Sequence, residues 1–257
     1  MSTELFSLAD KVAVVIGGGG VLAGEMAMGF AAAGASVAVL DLNGENAEKR
    51  AAAIRATGRR AIGIQVDATK KADLSRALEA IVKELGGVDV LLNAAGINSA
   101  TPFFEITEEE WQRILDVNLK SMVFACQVFG KAMVDAGKGG SIINISSASS
   151  GPPLSKVFTY SITKGGVNQL TQFLARELAP YNVRVNALAP GFIPAEQNRR
   201  ILTEERVSKI MSHTPMNRFG EPREMVGAVV WLASEKAASF VTGAIIRVDG
   251  GFTAMTI

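Results

Sequence analysis

The sequence predicts an α/β protein in which helices cover both faces of a doubly wound parallel sheet of seven strands. Apolar runs of strand length recur along the chain, and segments long enough for right-handed helical crossovers separate them. Most of the runs lack polar alternation, which is typical of strands that are buried on both faces. The runs are Val12–Ile16, Ser36–Leu40, Ala61–Val66, Val88–Leu92, Ser141–Ile145, Val183–Leu188 and Ala244–Val248.

Composition favours one folded domain over residues 1–257, because 48% of the residues are hydrophobic and 20% are charged. The net charge of +1 provides no field to attract nucleic acid or an anionic membrane, so we expect neither as a partner. With one cysteine and one histidine, the chain offers neither an intrachain disulfide nor a Cys/His metal cluster. We therefore expect catalysis without a metal.

The first residues give no sign of export. Met1–Lys11 carries Glu4 and Asp10 and has no apolar run before a cleavage site. No uncharged apolar stretch approaches the ~18 residues that a membrane-spanning helix needs. These observations predict a cytoplasmic protein.

A glycine-rich segment follows the first predicted strand and opens an apolar-periodic helix. Its backbone N–H groups and the helix dipole favour a pyrophosphate there, although a tight strand-to-helix turn would also use glycine. The predicted contacts are Gly17, Gly19, Gly20, Val21 and Leu22. Asp41 ends the second strand about 20 residues later, where an acid accepts hydrogen bonds from an adenosine ribose. This combination predicts a Rossmann-type dinucleotide site.

The same aspartate predicts the choice of cofactor. A carboxylate at position 41 would repel a 2′-phosphate, and the residues that follow, Leu42 to Gly44, offer no guanidinium to bind one. We therefore expect NAD(H) and not its phosphorylated form.

A tyrosine and a lysine form the candidate proton-transfer pair. Tyr160 and Lys164 are four residues apart, so on a helix they share one face. A nearby ammonium favours a phenolate, which predicts that Lys164 lowers the pKa of Tyr160 toward neutrality. An exposed pair without function is the alternative. Ser147, just past the fifth strand and 13 residues before Tyr160, favours a catalytic group at the ligand crevice.

These motifs together resemble the short-chain dehydrogenase/reductase family along essentially the whole chain. The resemblance implies a catalytic set of Asn118, Ser147, Tyr160 and Lys164, in which Asn118 positions a water that links Lys164 to solvent. It also implies that Asp67 holds the adenine amino group and that Lys164 binds the nicotinamide ribose. The remaining implied cofactor contacts are Ala68, Asn93, Ala94, Ala95, Gly96, Tyr160, Pro190, Gly191 and Ile193.

Three residues depart from the family pattern. Val21 replaces a loop glycine, Ala94 replaces the second asparagine of the Asn-Asn-Ala-Gly motif, and Ala195 stands where many relatives have a threonine near the nicotinamide. None of them removes a group that does proton chemistry. The catalytic assignment therefore stands. The three departures are expected to change the affinity for the cofactor.

Segments 190–199 and 213–222 resemble the branch of mannonate (fructuronate) oxidoreductases, which implies a sugar-acid substrate. Its carboxylate would need a cation and its hydroxyls would need amide partners. The candidates are Lys156, Gln197, Asn198 and Arg199, with solvated loop charges as the alternative for both cations. The irregular crossover 191–216 is expected to be a substrate lid, and His213 is expected to pack or cap.

Two other functions stay open. A 3-oxoacyl-thioester reductase would use the same catalytic set, although such enzymes normally take NADP, which Asp41 disfavours. A nucleotide sensor or scaffold would keep the fold without turnover, but an intact Ser147, Tyr160 and Lys164 argue against it.

Apolar periodicity marks two helices as possible interface elements. One stripe runs from Leu119 to Met133 and includes Cys126, whose burial in the stripe is expected; the other joins Val167 to Leu178. The family resemblance implies a homodimer or homotetramer built on such helices. The same stripes could instead cover the sheet.

Overall fold

A computed structural model of the protein describes residues 2–152, 154–194 and 203–255, and its strands form one sheet. The strand order is β3-β2-β1-β4-β5-β6-β7, and every neighbouring pair is parallel. The order reverses between β1 and β4, so their carboxyl ends open a ligand crevice. The strands are β1 (Val12–Ile16), β2 (Ser36–Asp41), β3 (Ala61–Gln65), β4 (Val90–Asn93), β5 (Gly140–Ile145), β6 (Val183–Pro190) and β7 (Ile245–Val248). The seven-stranded prediction is confirmed.

Helices link the strands as crossovers, and local signals mark several of their ends. The Asn43 side chain caps one helix by accepting from the Asn46 N–H, and another helix ends at Gly86 in the left-handed region. The helices are α1 (Ser2–Leu5), α2 (Val21–Ala32), α3 (Gly44–Arg55), α4 (Lys71–Leu85), α5 (Glu108–Leu115), α6 (Ser121–Ala125), α7 (Lys131–Ala136), α8 (Phe158–Leu178), α9 (Glu204–Ser212), α10 (Val226–Ala233) and α11 (Glu235–Ala238).

Alternate residues of each strand enter two separate cores. Ala13 and Val15 of β1 pack with Phe30 of α2, whereas Val14 packs on the other face with Ile81 of α4. All five are essentially inaccessible to solvent. Burial on both faces explains why the strands read as continuous apolar runs.

The apolar stripe between Leu119 and Met133 covers the sheet. Helices α5, α6 and α7 run on through two π-helical turns, and Cys126, Phe129 and Met133 are buried in the core beside β4 and β5. Cys126 is a buried residue as expected, and burial raises the pKa of its thiol to about 12.

Several of the residues predicted for a subunit interface pack inward instead. Val167 of α8 is fully buried, and Leu174 and Leu178 pack against the same core. The outer surface of α8 instead presents Ile162 and Phe173, which are 42% and 60% exposed. A dimer or tetramer on the predicted helices stays a prediction, and these two outward residues are further candidate contacts.

The crossover after β6 is more regular than predicted. Helix α9 lies inside the segment expected to be an irregular lid, and its Ile210 is buried. Thr203 begins the helix, because its side chain accepts from the Arg206 N–H, and Glu204 and Glu205 in the first turn suit the helix dipole. A lid function stays a prediction. In the described ranges no helix is long and apolar enough to span a bilayer, and no three His, Cys, Asp or Glu side chains gather as a metal site.

Candidate active site

The glycine loop between β1 and α2 approaches its neighbours too closely for side chains. Gly17 has a φ of +77°, and a Cβ on it would lie 2.9 Å from the Ala95 nitrogen. A Cβ on Gly19 would lie 2.9 Å from Asp41 Oδ2. The loop therefore offers bare backbone at the crevice, as a pyrophosphate site requires.

Asp41 lies across from this loop. Its Oδ2 accepts from the Gly19 N–H at 3.0 Å, and its Oδ1 accepts from the Asn43 N–H at 2.9 Å. Gly20 begins α2 without a side-chain cap, which leaves the first N–H groups of the helix, at Val21 and Leu22, for a ligand. Phosphate donors and a ribose acceptor thus lie at one edge of the sheet.

Asp67 follows β3 and is the predicted contact of the adenine amino group. It lines a cavity together with Leu42, Thr69 and Trp111. Thr69 donates to Asp67 Oδ1 through its hydroxyl at 2.6 Å and its N–H at 3.0 Å, and these bonds hold the pKa of Asp67 below its ordinary value. Ala68 packs against the core beneath. The carboxylate is thus fixed in its charged, accepting form.

The residues after β4 have different surroundings: some pack in the protein interior and one lies in the crevice. Asn93 is buried and donates to Asn144 Oδ1 at 2.8 Å, so its side chain joins two strands instead of facing the crevice. Ala94 and Ala95 pack against the cores on opposite faces of the sheet. Gly96 lies in the crevice, because a Cβ there would meet Asn118 Oδ1 at 3.5 Å and Lys164 Nζ at 3.7 Å.

Asn118 lies in the first π-helical turn, and its amide is fully engaged. Its Oδ1 accepts from the Ile97 N–H and its Nδ2 donates to the Ile97 carbonyl, both at 2.8 Å. The same Nδ2 reaches Thr163 Oγ1 at 3.2 Å. The side chain therefore fastens the loop after β4 to α8. The role implied by the family resemblance, that Asn118 positions a water, stays a prediction.

Lys164 is buried beneath Tyr160. Its Nζ donates to the Ile145 carbonyl at 2.7 Å and lies 5.4 Å from the centre of the Tyr160 ring. Burial lowers the pKa of Lys164 to about 8. Burial also raises the pKa of Tyr160 above its ordinary value, and a hydrogen bond with Ser147 opposes that rise. Desolvation therefore has the larger effect on the pKa of Tyr160 among the groups of this chain, and a lowering of that pKa by Lys164 stays a prediction.

Ser147 is oriented as a donor. Its Oγ accepts from the N–H of Ser149 at 3.2 Å and from the hydroxyl of Ser149 at 3.1 Å. With its lone pairs engaged, the hydroxyl has its own proton to give to an oxygen in the crevice.

Asn168 supports this serine, and the sequence analysis missed it. Its Oδ1 accepts from Ser146 Oγ at 2.6 Å, and its Nδ2 donates to Ser150 Oγ at 2.9 Å. Ser150 Oγ in turn donates to the Ser147 carbonyl at 2.7 Å. The available signal was spacing, because Tyr160, Lys164 and Asn168 follow one another at intervals of four on α8.

The far side of the crevice comes from the ends of β6 and β7. The Gly191 N–H, next to Pro190, donates to the Val248 carbonyl at 3.0 Å, and Ile193 packs against the core. His213 ends α9 and packs edge-on against Phe252, with ring centres 5.0 Å apart, as expected of a capping and packing residue. Ala195, Gln197, Asn198 and Arg199 lie outside the described residues.

Lys156 has a backbone φ of +66° and lines a cavity between the loop before α8 and α9. This position is the one predicted substrate contact within the described residues. Its surroundings decide between a substrate contact and a solvated charge.

Comparison with known proteins agrees with this geometry. The sequence model of a family described as "Enoyl-(Acyl carrier protein) reductase" matches residues 20–253. The 5-keto-D-gluconate 5-reductase of Escherichia coli strain K12 is 34% identical over 249 residues, covering 96% of this chain and 97% of that protein. A crystal structure of a short-chain type dehydrogenase/reductase from Mycobacterium marinum has a TM-score of 0.93 at 34% identity, covering 99% of this chain and 100% of that one. The chain therefore belongs to the short-chain dehydrogenase/reductase family, whose oxidoreductases act on CH–OH groups.

Two further solved structures are similar over the whole chain and differ in their cofactor. A putative D-mannonate oxidoreductase from Haemophilus influenzae with bound NAD has a TM-score of 0.94 at 33% identity, covering 100% of this chain and 99% of that one. A gluconate 5-dehydrogenase from Burkholderia cenocepacia J2315 in complex with NADP and tartrate has a TM-score of 0.95 at 31% identity, covering 100% of both chains.

Proposed function

We propose that the protein is an NAD(H)-dependent oxidoreductase that interconverts a secondary alcohol and a ketone in a sugar acid or polyol, such as mannonate and fructuronate. The observation that carries the proposal is the convergence of Ser147, Tyr160 and Lys164 beside Gly96. The relatives named for gluconate and mannonate chemistry support the substrate class.

The residues of the crevice fit a dinucleotide, with Gly17 to Leu22 at the pyrophosphate and Asp41 at the adenosine ribose. A bound nicotinamide cofactor supplies the hydride in reduction and accepts it in oxidation. Ser147 donates a hydrogen bond to the substrate oxygen. Tyr160 gives its proton to that oxygen in reduction and takes one from the alcohol in oxidation, while the Lys164 ammonium stabilises the phenolate. Because burial raises the pKa of Tyr160, the phenol enters reduction protonated.

Cofactor choice rests on Asp41, whose carboxylate faces the loop with no basic residue directly after it. We expect a higher kcat/KM with NADH than with NADPH, and Asp41→Ala should narrow that ratio by about 10-fold, since it removes a ribose acceptor and a repulsive charge. Asp135→Ala, on the exposed surface of α7, is the matched control. A wild-type preference for NADPH would contradict this part of the proposal.

The substrate is tested by NADH-linked absorbance. Fructuronate, tagaturonate, other keto-acids, neutral ketoses and a 3-oxoacyl thioester are offered to the same enzyme. Reduction of a keto-acid sugar well above the others supports the proposal, whereas preference for the thioester would favour a 3-oxoacyl-thioester reductase. Tight NADH binding without turnover of any of them would favour a sensor or scaffold.

A further inference from the structure

A small cavity lies between the entry to α8 and the crossover helix α9. Its volume is about 250 Å³. One wall is the loop Leu154–Lys156, which connects the turn after Ser147 to the helix that carries Tyr160. The opposite wall is α9, and Phe192, two residues beyond Pro190, closes one side. The cavity is smaller than the ~300 Å³ at which drug-sized sites begin, which suits a small metabolite.

The charges that line this cavity are unbalanced. They comprise three permanent cations, Lys156, Arg206 and Lys209, and one carboxylate, Glu205. Glu205 accepts from Lys209 Nζ at 2.6 Å, so those two charges compensate each other. Within the described parts of the chain, neither Lys156 nor Arg206 has a carboxylate within 4.0 Å. Lys156 therefore faces the cavity with only the longer-range attraction of Glu205, and Arg206 faces it without an ion-pair partner from those parts.

A hydrogen bond fixes Arg206 to the backbone next to Lys156. Arg206 Nη2 donates to the carbonyl of Ser155 at 3.2 Å, and Ser155 immediately precedes Lys156. The left-handed backbone at Lys156 is uncommon for a residue with a long side chain, and such strain gathers at ligand sites. The remaining N–H groups of the half-buried Arg206 are available for a planar, bidentate acceptor.

The rest of the wall is apolar. Phe192 and Phe252 pack edge to face at 5.1 Å between ring centres, and the buried Ile210 lies beside them. Cations at one wall and an apolar surface at the other suit a short carbon chain that ends in an anion.

We propose that Arg206 and Lys156 bind the carboxylate of the substrate, Arg206 as a bidentate donor and Lys156 as a point charge. This inference rests on the proposed function, because it assigns the acid end of the sugar acid to a cavity whose wall Leu154–Lys156 leads into the helix that carries Tyr160. It gives Arg206 the role that the sequence analysis offered to Arg199.

The test compares a keto-acid sugar with the matching uncharged ketose, using the full-length enzyme and NADH. Arg206→Gln should lower kcat/KM for the acid by about 10- to 100-fold and for the ketose by less than about 3-fold, because a charge-assisted bond is lost on the acid alone. Arg206→Lys should keep part of the preference, since it keeps the charge and loses the fork. Arg176→Gln, at an exposed site on α8, controls for loss of charge.

Lys156→Gly separates binding from folding. Glycine accepts a positive φ without strain, so the melting temperature should hold or rise while the preference for the acid falls. Equal losses on acid and ketose in Arg206→Gln, or an unchanged preference in both variants, would overturn the inference.

Failure of the proposed function gives a different result. If the wild-type enzyme reduces no keto-acid sugar, calorimetry of tartrate with the NADH complex still tests the anion site. Tartrate binding that Arg206→Gln weakens by about 10-fold or more supports the site. Tartrate that binds both proteins equally, or neither, overturns it.

Discussion

The two sides of the crevice are built from different parts of the polypeptide. Between β1 and β4 the ligand-facing groups are mostly backbone, exposed by Gly17, Gly19 and Gly96. Between β5 and α9 they are side chains held by other side chains, such as Ser147 through Asn168. Apart from Asp41, the first side should tolerate side-chain changes that add no bulk, whereas loss of a single side-chain atom on the second side should reduce activity.

The largest loss of turnover from a single substitution is expected at Tyr160, on the second side of the crevice. Tyr160→Phe removes only a hydroxyl, yet it should reduce turnover by about 10²- to 10⁴-fold, because it removes the proton donor. NADH binding, measured by fluorescence titration, should hardly change. Tyr181→Phe is the matched control on the other tyrosine, which is 53% exposed. Near wild-type turnover in Tyr160→Phe would break the contrast at its strongest point.

Lys164 tests how much the burial of a functional charge destabilises the folded protein. Its folded pKa is about 8 and its ordinary value is 10.5, so between these values the unfolded chain holds a proton that the folded chain has released. As pH rises through that window, this group should therefore increase the free energy of unfolding by about 3 kcal/mol. Below about pH 8 the destabilisation of the folded state by the buried ammonium is fully present.

Lys164→Met removes this titration. Urea unfolding of the cofactor-free protein at about pH 7 and about pH 10 should show the wild type gaining stability relative to Lys164→Met. Lys83→Met, exposed on α4, should leave the pH dependence as it is. Parallel pH curves for wild type and Lys164→Met would show that the ammonium is not desolvated.

Asn168 tests whether the second side depends on support behind the catalytic serine. Asn168→Leu leaves Ser146 and Ser150 without their amide partner, so kcat should fall by about 10-fold while KM for NADH is unchanged. Gln169→Leu, one residue on and exposed, should have little effect. A KM increase without a change in kcat would place the role of Asn168 in binding instead.

The smallest effect is expected in the glycine loop, from one of two substitutions that lie two residues apart. Val21 is 51% exposed at the first turn of α2, so Val21→Gly should change the Kd for NADH by less than about 3-fold. Gly19→Ala places a methyl 2.7 Å from Asn46 Cβ and 2.9 Å from Asp41 Oδ2, and should weaken NADH binding by about 10-fold or more. Equal effects from the two would mean that side chains matter on this side as well.

The interface prediction shows what apolar periodicity can predict and what it cannot. The stripe containing Phe129 and the face containing Val167 were correctly identified as apolar, but the same pattern fits a subunit contact and a sheet-covering helix. In the fold, Phe129 and Val167 are buried, whereas Phe173 is exposed and is a candidate contact with another subunit.

The sequence alone was enough to predict the seven-stranded sheet and the glycine loop. It was also enough to predict that Asp41, Ser147, Tyr160 and Lys164 lie at the ligand crevice. These depend on local rules, namely strand burial, backbone freedom at glycine and spacing along one helix. Tertiary structure alone decided that Asn93 and Asn118 bind neighbouring segments, that desolvation dominates the pKa of Tyr160, and that Arg206 lies beside Lys156. Those outcomes depend on contacts between residues far apart in the chain, because burial and charge pairing are properties of the assembled fold.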